Sequence, residues 1–353
     1  MSNSSRTGRK WLLSGMAAVA AIGLAACGNS GGGTQSGGEA ASGGESGAAS
    51  SGIKVAFVPK IQGIPFFEAM NTGGQDAAKE FGFDWVYSGA TTADPAAQAD
   101  VARSLIQQGV NAMAVAPNDP DSMAPVIKDA IAAGIKTYTA DTDATSSERE
   151  FFVSQASAEG IGGALIKEIS DAVGGKGNVA IVSCGRTAAN LNSWIDVINE
   201  KIASEYKDIK IVDTVYADED QAKAVTMSKD LMNAHPDLNG LIGMCTTSAP
   251  GVAQAVTEAG KIGTVQTVGV GTPQAMLPFL ESGAAHNSVL WNVEDHGYLT
   301  AWAGWQAAEG KEFPSGSFDV GRIKGVTYDP STKVLLMGDP LILTKDNAGD
   351  FNY

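Results

Sequence analysis

From residue 53 onward, short apolar runs rich in β-branched residues alternate with amphipathic stretches of helical period. The first run, Ile53, Val55, Phe57 and Val58, predicts a buried strand. It stops at Pro59-Lys60 and turns through Gly63-Ile64-Pro65. A helix then begins near Phe66, carrying Phe67, Met70, Gly74, Ala77, Ala78 and Phe81 at helical spacing. Lys60 and two adjacent aromatics, Phe66 and Phe67, therefore fall just past the carboxyl end of a first parallel strand, where open α/β sheets bind ligands.

The alternation continues. A strand is predicted over Phe83–Tyr87, then a helix opened by Asp94 with Ala97, Val101, Leu105 and Ile106 inward. The strand Ala112–Ala116 leads to a helix with Met123, Val126, Ile127, Ala130 and Ile131 on one face, ended by Gly134. The strand Lys136–Ala140 stops at Asp141-Thr142-Asp143. Beyond Phe151–Ser154 the pattern starts again. Strands at Val179–Ser183, Ile209–Val215, Leu238–Met244, Val265–Val270 and His286–Leu290 are separated and followed by helical periods, the last over Asp295–Ala308. The end is β-like around Lys324–Tyr328 and Leu341–Lys345. Two successive runs of this kind predict two doubly wound parallel-sheet lobes.

Length agrees: 353 residues suit two lobes, and 44% hydrophobic with 18% charged residues is an ordinary globular balance. A formal charge of −15 argues against a nucleic-acid partner. No cofactor motif is completed. Gly160-x-Gly162 is followed by Leu165 and Gly269-x-Gly271 by Gln274, so neither forms a dinucleotide fingerprint. His235, His286 and His296 show no metal-ligand spacing, and no nucleophile motif is present. Catalytic machinery is therefore not visible, and no metal or cofactor is expected.

The first residues have the layout of a secretory signal. Arg6, Arg9 and Lys10 precede an apolar core that ends at Leu24-Ala25-Ala26-Cys27. That ending resembles a bacterial lipobox, which implies removal of residues 1–26 and a lipid on Cys27. Residues 27–52 are almost entirely Gly, Ser, Ala, Glu and Gln and predict a tether. The location expected is extracytoplasmic, on the outer face of the cell membrane.

Several segments then carry a family resemblance: VPKIQGIPFFEAM, TADTD at 139–143, FFVSQASAEGIGGAL at 151–165, NLNSW at 190–194, VGVGTPQAM at 268–276, LWNVEDHGYL at 290–299 and LTKDNAGDFNY at 343–353. From about residue 53 to 353 the chain resembles the ribose-type periplasmic sugar-binding proteins of ABC importers. Within them it is most similar to the rhamnose receptors and the Lsr-type receptors for a furanosyl autoinducer. The resemblance implies the type I periplasmic binding protein fold: α/β, two lobes joined by three crossovers near Gln155, near Leu290-Trp291 and around 317–326. Lobe one is then 53–155 plus 290–317, and lobe two 156–289 plus 318–353. It also implies a monomer that passes a monosaccharide to a membrane permease.

A sugar presents hydroxyls and apolar C–H faces, which carboxylates, amides, lysine and aromatic rings satisfy. The ligand-binding residues expected are Lys60, Phe66, Phe67, Asp141, Asp143, Asn190, Met244, Thr246, Trp291 and Asn292. Two have structural alternatives, Asp143 as a turn cap and Asn190 as a helix N-cap. The autoinducer receptors carry Asp-Gln where this chain has Asn190-Leu191, and Pro-x-Ala where it has Met244-Cys245-Thr246. Lost acceptors favour a neutral monosaccharide, a 6-deoxyhexose such as rhamnose first, with the autoinducer as the alternative. A sugar-sensing regulator or an enzyme ranks below both. The family strand order also brings Cys184 and Cys245 onto neighbouring strands, which suits a disulfide in an oxidising compartment; two buried free thiols are the alternative.

Overall fold

A computed structural model describes residues 52–353. The expected signal segment, Cys27 and nearly all of the tether lie outside the described residues. In chain order the elements are β1 (Lys54–Val58), α1 (Pro65–Phe81), β2 (Asp84–Tyr87), α2 (Pro95–Gln107), β3 (Ala112–Val115), α3 (Pro120–Ala132), β4 (Lys136–Ala140), β5 (Phe152–Ser154) and α4 (Ala158–Ala172). There follow β6 (Gly177–Ser183), α5 (Ala189–Ser204), β7 (Ile209–Tyr216), α6 (Gln221–Ala234), β8 (Leu238–Gly243), α7 (Ser248–Glu258), β9 (Gln266–Gly269), α8 (Pro273–Ser282), β10 (Asn287–Leu290) and α9 (Val293–Ala308). The chain closes with β11 (Gly316–Val320), β12 (Ile323–Asp329), β13 (Val334–Leu336) and β14 (Leu341–Leu343).

The strands form two sheets. One has the order β11-β12-β13-β5-β4-β3-β1-β2, the other β14-β10-β9-β8-β6-β7. Pairing is parallel except where β11, β12 and β13 meet and where β14 joins β10. The continuous apolar runs have a simple cause: central strands are covered on both faces. Val55 and Phe57 of β1 enter one core while Ala56 and Val58 enter another on the opposite face. In the second sheet, Val179 and Ile181 of β6 alternate in the same way with Ala180 and Val182.

One boundary needs correction. Residues 318–336, expected in lobe two, extend the first sheet instead. β13 pairs in parallel with β5, Val334 opposite Phe152 and Leu336 opposite Ser154. The third crossover is therefore the short link between β13 and β14 at 337–340, not 317–326. The chain also passes between the sheets after β5 and after β10. Helix α2 also differs in phase: its buried residues are Gln98, Ala99, Ala102 and Leu105, one position round from the apolar set read from the pattern.

Candidate functional site

Parallel strands of both sheets aim their carboxyl ends at one region between them, and the ends of β1, β4 and β6 to β10 contribute side chains there. Lys60 follows β1, Asp141 follows β4, and Asn190 stands in the first turn of α5 after β6. Glu219 follows β7, Met244, Cys245 and Thr246 follow β8, Val270 follows β9 and Trp291 follows β10. Together with Ile64, Phe66, Phe67, Leu191 and Trp194 they line one cavity of about 330 Å³, part of it open to solvent.

The polar floor is a short chain of charged and amide groups. Lys60 Nζ lies 3.2 Å from Asp141 Oδ2, and both side chains are only 5% exposed. The same ammonium donates to Asn190 Oδ1 at 3.0 Å, while Asn190 Nδ2 approaches both Asp141 oxygens at 3.5 Å. Asn190 is not the cap of α5; that position is Ala188, and the Asn190 side chain reaches Lys60 of the other sheet instead. Asp141 adopts a left-handed backbone (φ 64°), a conformation that short acidic side chains tolerate better than most. Strain of this kind gathers at functional positions.

Buried amides hold Lys60 in place. Gln98, fully buried, donates to the carbonyls of Pro59 (2.9 Å) and Ala116 (2.7 Å) and accepts from the Asn118 backbone amide (2.9 Å). Asn118 Nδ2 in turn donates to the Lys60 carbonyl at 2.8 Å. The opposite wall is apolar. Phe66 meets Phe67 and Trp291 edge-on, with ring centroids 4.9 and 5.7 Å apart, and Trp194 meets Trp291 at 6.0 Å. Trp291 Nε1 is buried without a protein acceptor, a donor available at the cavity wall. Behind Trp291 lies His296, fully buried, with Nε2 3.2 Å from the Val153 carbonyl. Burial pushes its pKa down, against upward pulls from Asp141 and that hydrogen bond.

Of the ten expected ligand-binding residues, the cavity gathers Lys60, Phe66, Phe67, Asp141, Asn190, Met244, Thr246 and Trp291. Two do not join it. Asp143 is taken by a bidentate pair with Arg149 and by the Thr139 hydroxyl at 2.7 Å, so its carboxylate is saturated by protein. Asn292 caps α9, accepting from the Asp295 amide at 3.1 Å. The cavity residues missed by sequence reasoning are Ile64, Trp194, Glu219, Cys245 and Val270. Glu219 and Val270 follow strands, the signal that located Lys60 and Asp141.

Cys184 and Cys245, at the ends of neighbouring strands β6 and β8, have Cα atoms 6.2 Å apart and their sulfurs at bonding separation. That Cα separation is within the usual disulfide range. A Glu219 carboxylate oxygen and both sulfurs lie within 4.8 Å of one another. Two thiolates and a carboxylate are a metal-ligand set, but a disulfide leaves only the carboxylate as donor. In the chain-entropy view, a bridge across 61 residues restricts the unfolded chain by roughly 4 kcal/mol. We expect no free thiol from these two residues in unreduced, denatured protein, and a loss of about 2–4 kcal/mol in the Cys184→Ser/Cys245→Ser double variant. Two titratable thiols would decide for the unbridged form.

A doubly wound pair of sheets with a polar and aromatic cavity at the strand ends defines a bilobed receptor architecture. The chain belongs to the periplasmic binding protein domain family, whose model matches residues 55–312. It is similar to the ribose import binding protein of Bacillus subtilis, 25% identical over 201 residues, which are 56% of this chain and 63% of that one. Among solved structures it resembles LsrB from Clostridium saccharobutylicum in complex with AI-2, at a TM-score of 0.80 and 26% identity, covering 85% of this chain and all of that one. It also resembles a sugar ABC transporter protein from Actinomyces odontolyticus, at a TM-score of 0.69 and 32% identity over 86% of this chain and 100% of that one.

Proposed function

We propose that this protein is the extracytoplasmic solute-binding component of an ABC importer, and that its cavity captures one neutral monosaccharide for delivery to a membrane permease. The observation that carries this reading is the Lys60–Asn190–Asp141 chain facing an aromatic and aliphatic wall in one cavity. Hydroxyls are matched by the first and sugar C–H faces by the second. Leu191, Met244, Val270 and Trp291 give the cavity apolar surface suited to a methyl group, which favours a 6-deoxyhexose such as rhamnose. The lobes proposed are 53–155 with 293–336, and 156–290 with 341–353. They close over the ligand about three links, as hinged domains do. The role is binding rather than turnover, in a monomer.

Calorimetry and thermal-shift screening against hexoses, 6-deoxyhexoses, pentoses and polyols test this reading. One sugar binding at one site supports it, whereas turnover of a sugar, or no response to any of them, overturns it. The second reading, a receptor for a furanosyl autoinducer, draws on the likeness to the AI-2-bound structure and enters the same screen. Preference for that ligand over every sugar would establish it. We further propose lipid anchoring through Cys27. Cys27→Ser is expected to leave the precursor unprocessed or to release the protein from membranes; unchanged detergent partitioning refutes the anchor.

A further inference from the structure

We propose that Glu219 is a specificity-determining contact residue of this cavity, meeting a ligand hydroxyl from the second sheet opposite Lys60 and Asp141 and coupling ligand capture to the uptake of a proton. The inference rests on the proposed sugar-binding reading and adds a residue and a linkage to it.

Three consecutive acids follow β7, and their surroundings separate them. Asp218 is held outward in an ion pair with Lys223. Asp220 caps α6, accepting from the Lys223 amide at 3.0 Å. Glu219 alone of the three lines the cavity. To aim it there the chain holds two successive non-glycine residues in the left-handed region, Asp218 at φ 54° and Glu219 at φ 59°. Such residues are strained and persist where the surroundings enforce the conformation. Glu219 makes no ion pair among the described residues, and the cavity's one lysine is already shared by Asp141 and Asn190. Its side-chain hydrogen-bond partner is the Thr247 hydroxyl, a neutral group that leaves carboxyl positions for a ligand hydroxyl.

Every charged or titratable group around Glu219 bears on its proton. Lys60 faces it from the β1 end, Asp141 from the β4 end and Asp218 from its own loop. The Cys184 and Cys245 sulfurs lie alongside, and neutral His296 stands behind Asp141. Glu219 is half-buried, and desolvation raises its pKa most. Lys60 and the Thr247 hydroxyl lower it, Asp141 and Asp218 raise it, and the balance is upward from the ordinary 4.5. A sugar entering the cavity displaces water from the carboxyl and leaves Asp141 charged beside it, which favours the neutral acid further. A neutral carboxyl both donates and accepts, as a sugar hydroxyl does.

The sign follows. Ligand binding raises the pKa again, so affinity rises as pH falls through the free protein's value. In the free protein the folded pKa exceeds the unfolded one. The stability tied to Glu219 is therefore complete below the unfolded value and is lost as pH rises through the folded value. Above the unfolded value that contribution declines, so Glu219→Gln, which stays neutral, is expected to stabilise the empty protein.

The decisive experiment is calorimetry on the purified full-length protein at neutral pH, with the tightest-binding sugar of the screen, in phosphate and in Tris. These buffers differ in protonation enthalpy. The wild type is expected to take up between zero and one proton per sugar, and Glu219→Gln to take up none while melting higher without ligand. Glu219→Leu, which neither donates nor accepts, is expected to bind at least about tenfold more weakly and to discriminate less between that sugar and its deoxy analogues. Buffer-independent enthalpy in the wild type, uptake that persists in Glu219→Gln, or unchanged affinity and selectivity in Glu219→Leu overturns the assignment of Glu219 alone. No sugar binding by the wild type overturns the sugar-receptor reading and this inference together.

Discussion

Asp141→Ala is expected to weaken sugar binding by about 100-fold, roughly 2.7 kcal/mol, and to leave the fold intact. An ionised acceptor contributes about 1.5–3 kcal/mol per hydrogen bond, and a carboxylate engages two hydroxyls at once. The concern with such a variant is its partner. Removing one member of a buried ion pair ordinarily destabilises by 3–5 kcal/mol, because the remaining charge stays desolvated. Here Lys60 keeps the Asn190 amide oxygen at 3.0 Å, and removing Asp141 also removes a charge that opposes ionisation of Glu219, so that carboxyl can supply a counter-charge. The loss therefore falls on affinity, with a melting temperature close to that of the wild type. Asp141→Asn separates charge from shape and should lie between the two. Equal affinities in wild type and Asp141→Ala would remove Asp141 from the site. A large drop in melting temperature would make the pair structural.

What the sequence disclosed and what it concealed have physical reasons. Lys60 and Asp141 were legible because the strands before them are buried on both faces and read as unbroken apolar runs, so the strand ends stand out. Glu219 was concealed by its neighbours: Asp218-Glu219-Asp220 before a helical period looks like a helix start, and Asp220 does serve as one. Asp143 and Asn292 fail for the converse reason. Each follows or borders a strand end, yet its oxygens are spent on Arg149 and on the first turn of α9, partners that sequence position alone does not reveal. The third crossover was misplaced because β11 shows little apolar alternation, with a mostly exposed strand, and β13 is only three residues long. Their membership in the first sheet is set by pairing with β5, a partner more than 150 residues away in the chain, near Phe152. The buried Gln98, which supports the Lys60 loop, appears in the sequence as a polar residue within an amphipathic period, and nothing local marks it as inward.

Gly297→Ala is expected to be strongly destabilising for a conservative substitution at a helix glycine, at about 3 kcal/mol. Helices α1 and α9 pack against each other and approach backbone to backbone at Gly73 and Gly297. A Cβ built on Gly297 overlaps the Met70 carbonyl, and one on Gly73 overlaps the Glu294 carbonyl. The obstacle in both cases is main chain, which cannot rotate away as a side chain does, so the helices must separate. Separation loosens Met70 and Tyr298, both fully buried in the same core. It also shifts the start of α9, and with it Trp291 at the cavity wall. Gly163→Ala is the control. It is also a helix glycine, but its added Cβ meets only the flexible end of Lys201, at 3.0 Å from Cε. There the gain in helix propensity, up to about 1 kcal/mol, is expected to prevail. Thermal denaturation should place Gly297→Ala roughly 6–12 °C below the wild type and Gly163→Ala at or above it. If both variants melt with the wild type, the close approach of α1 and α9 is wrong as described.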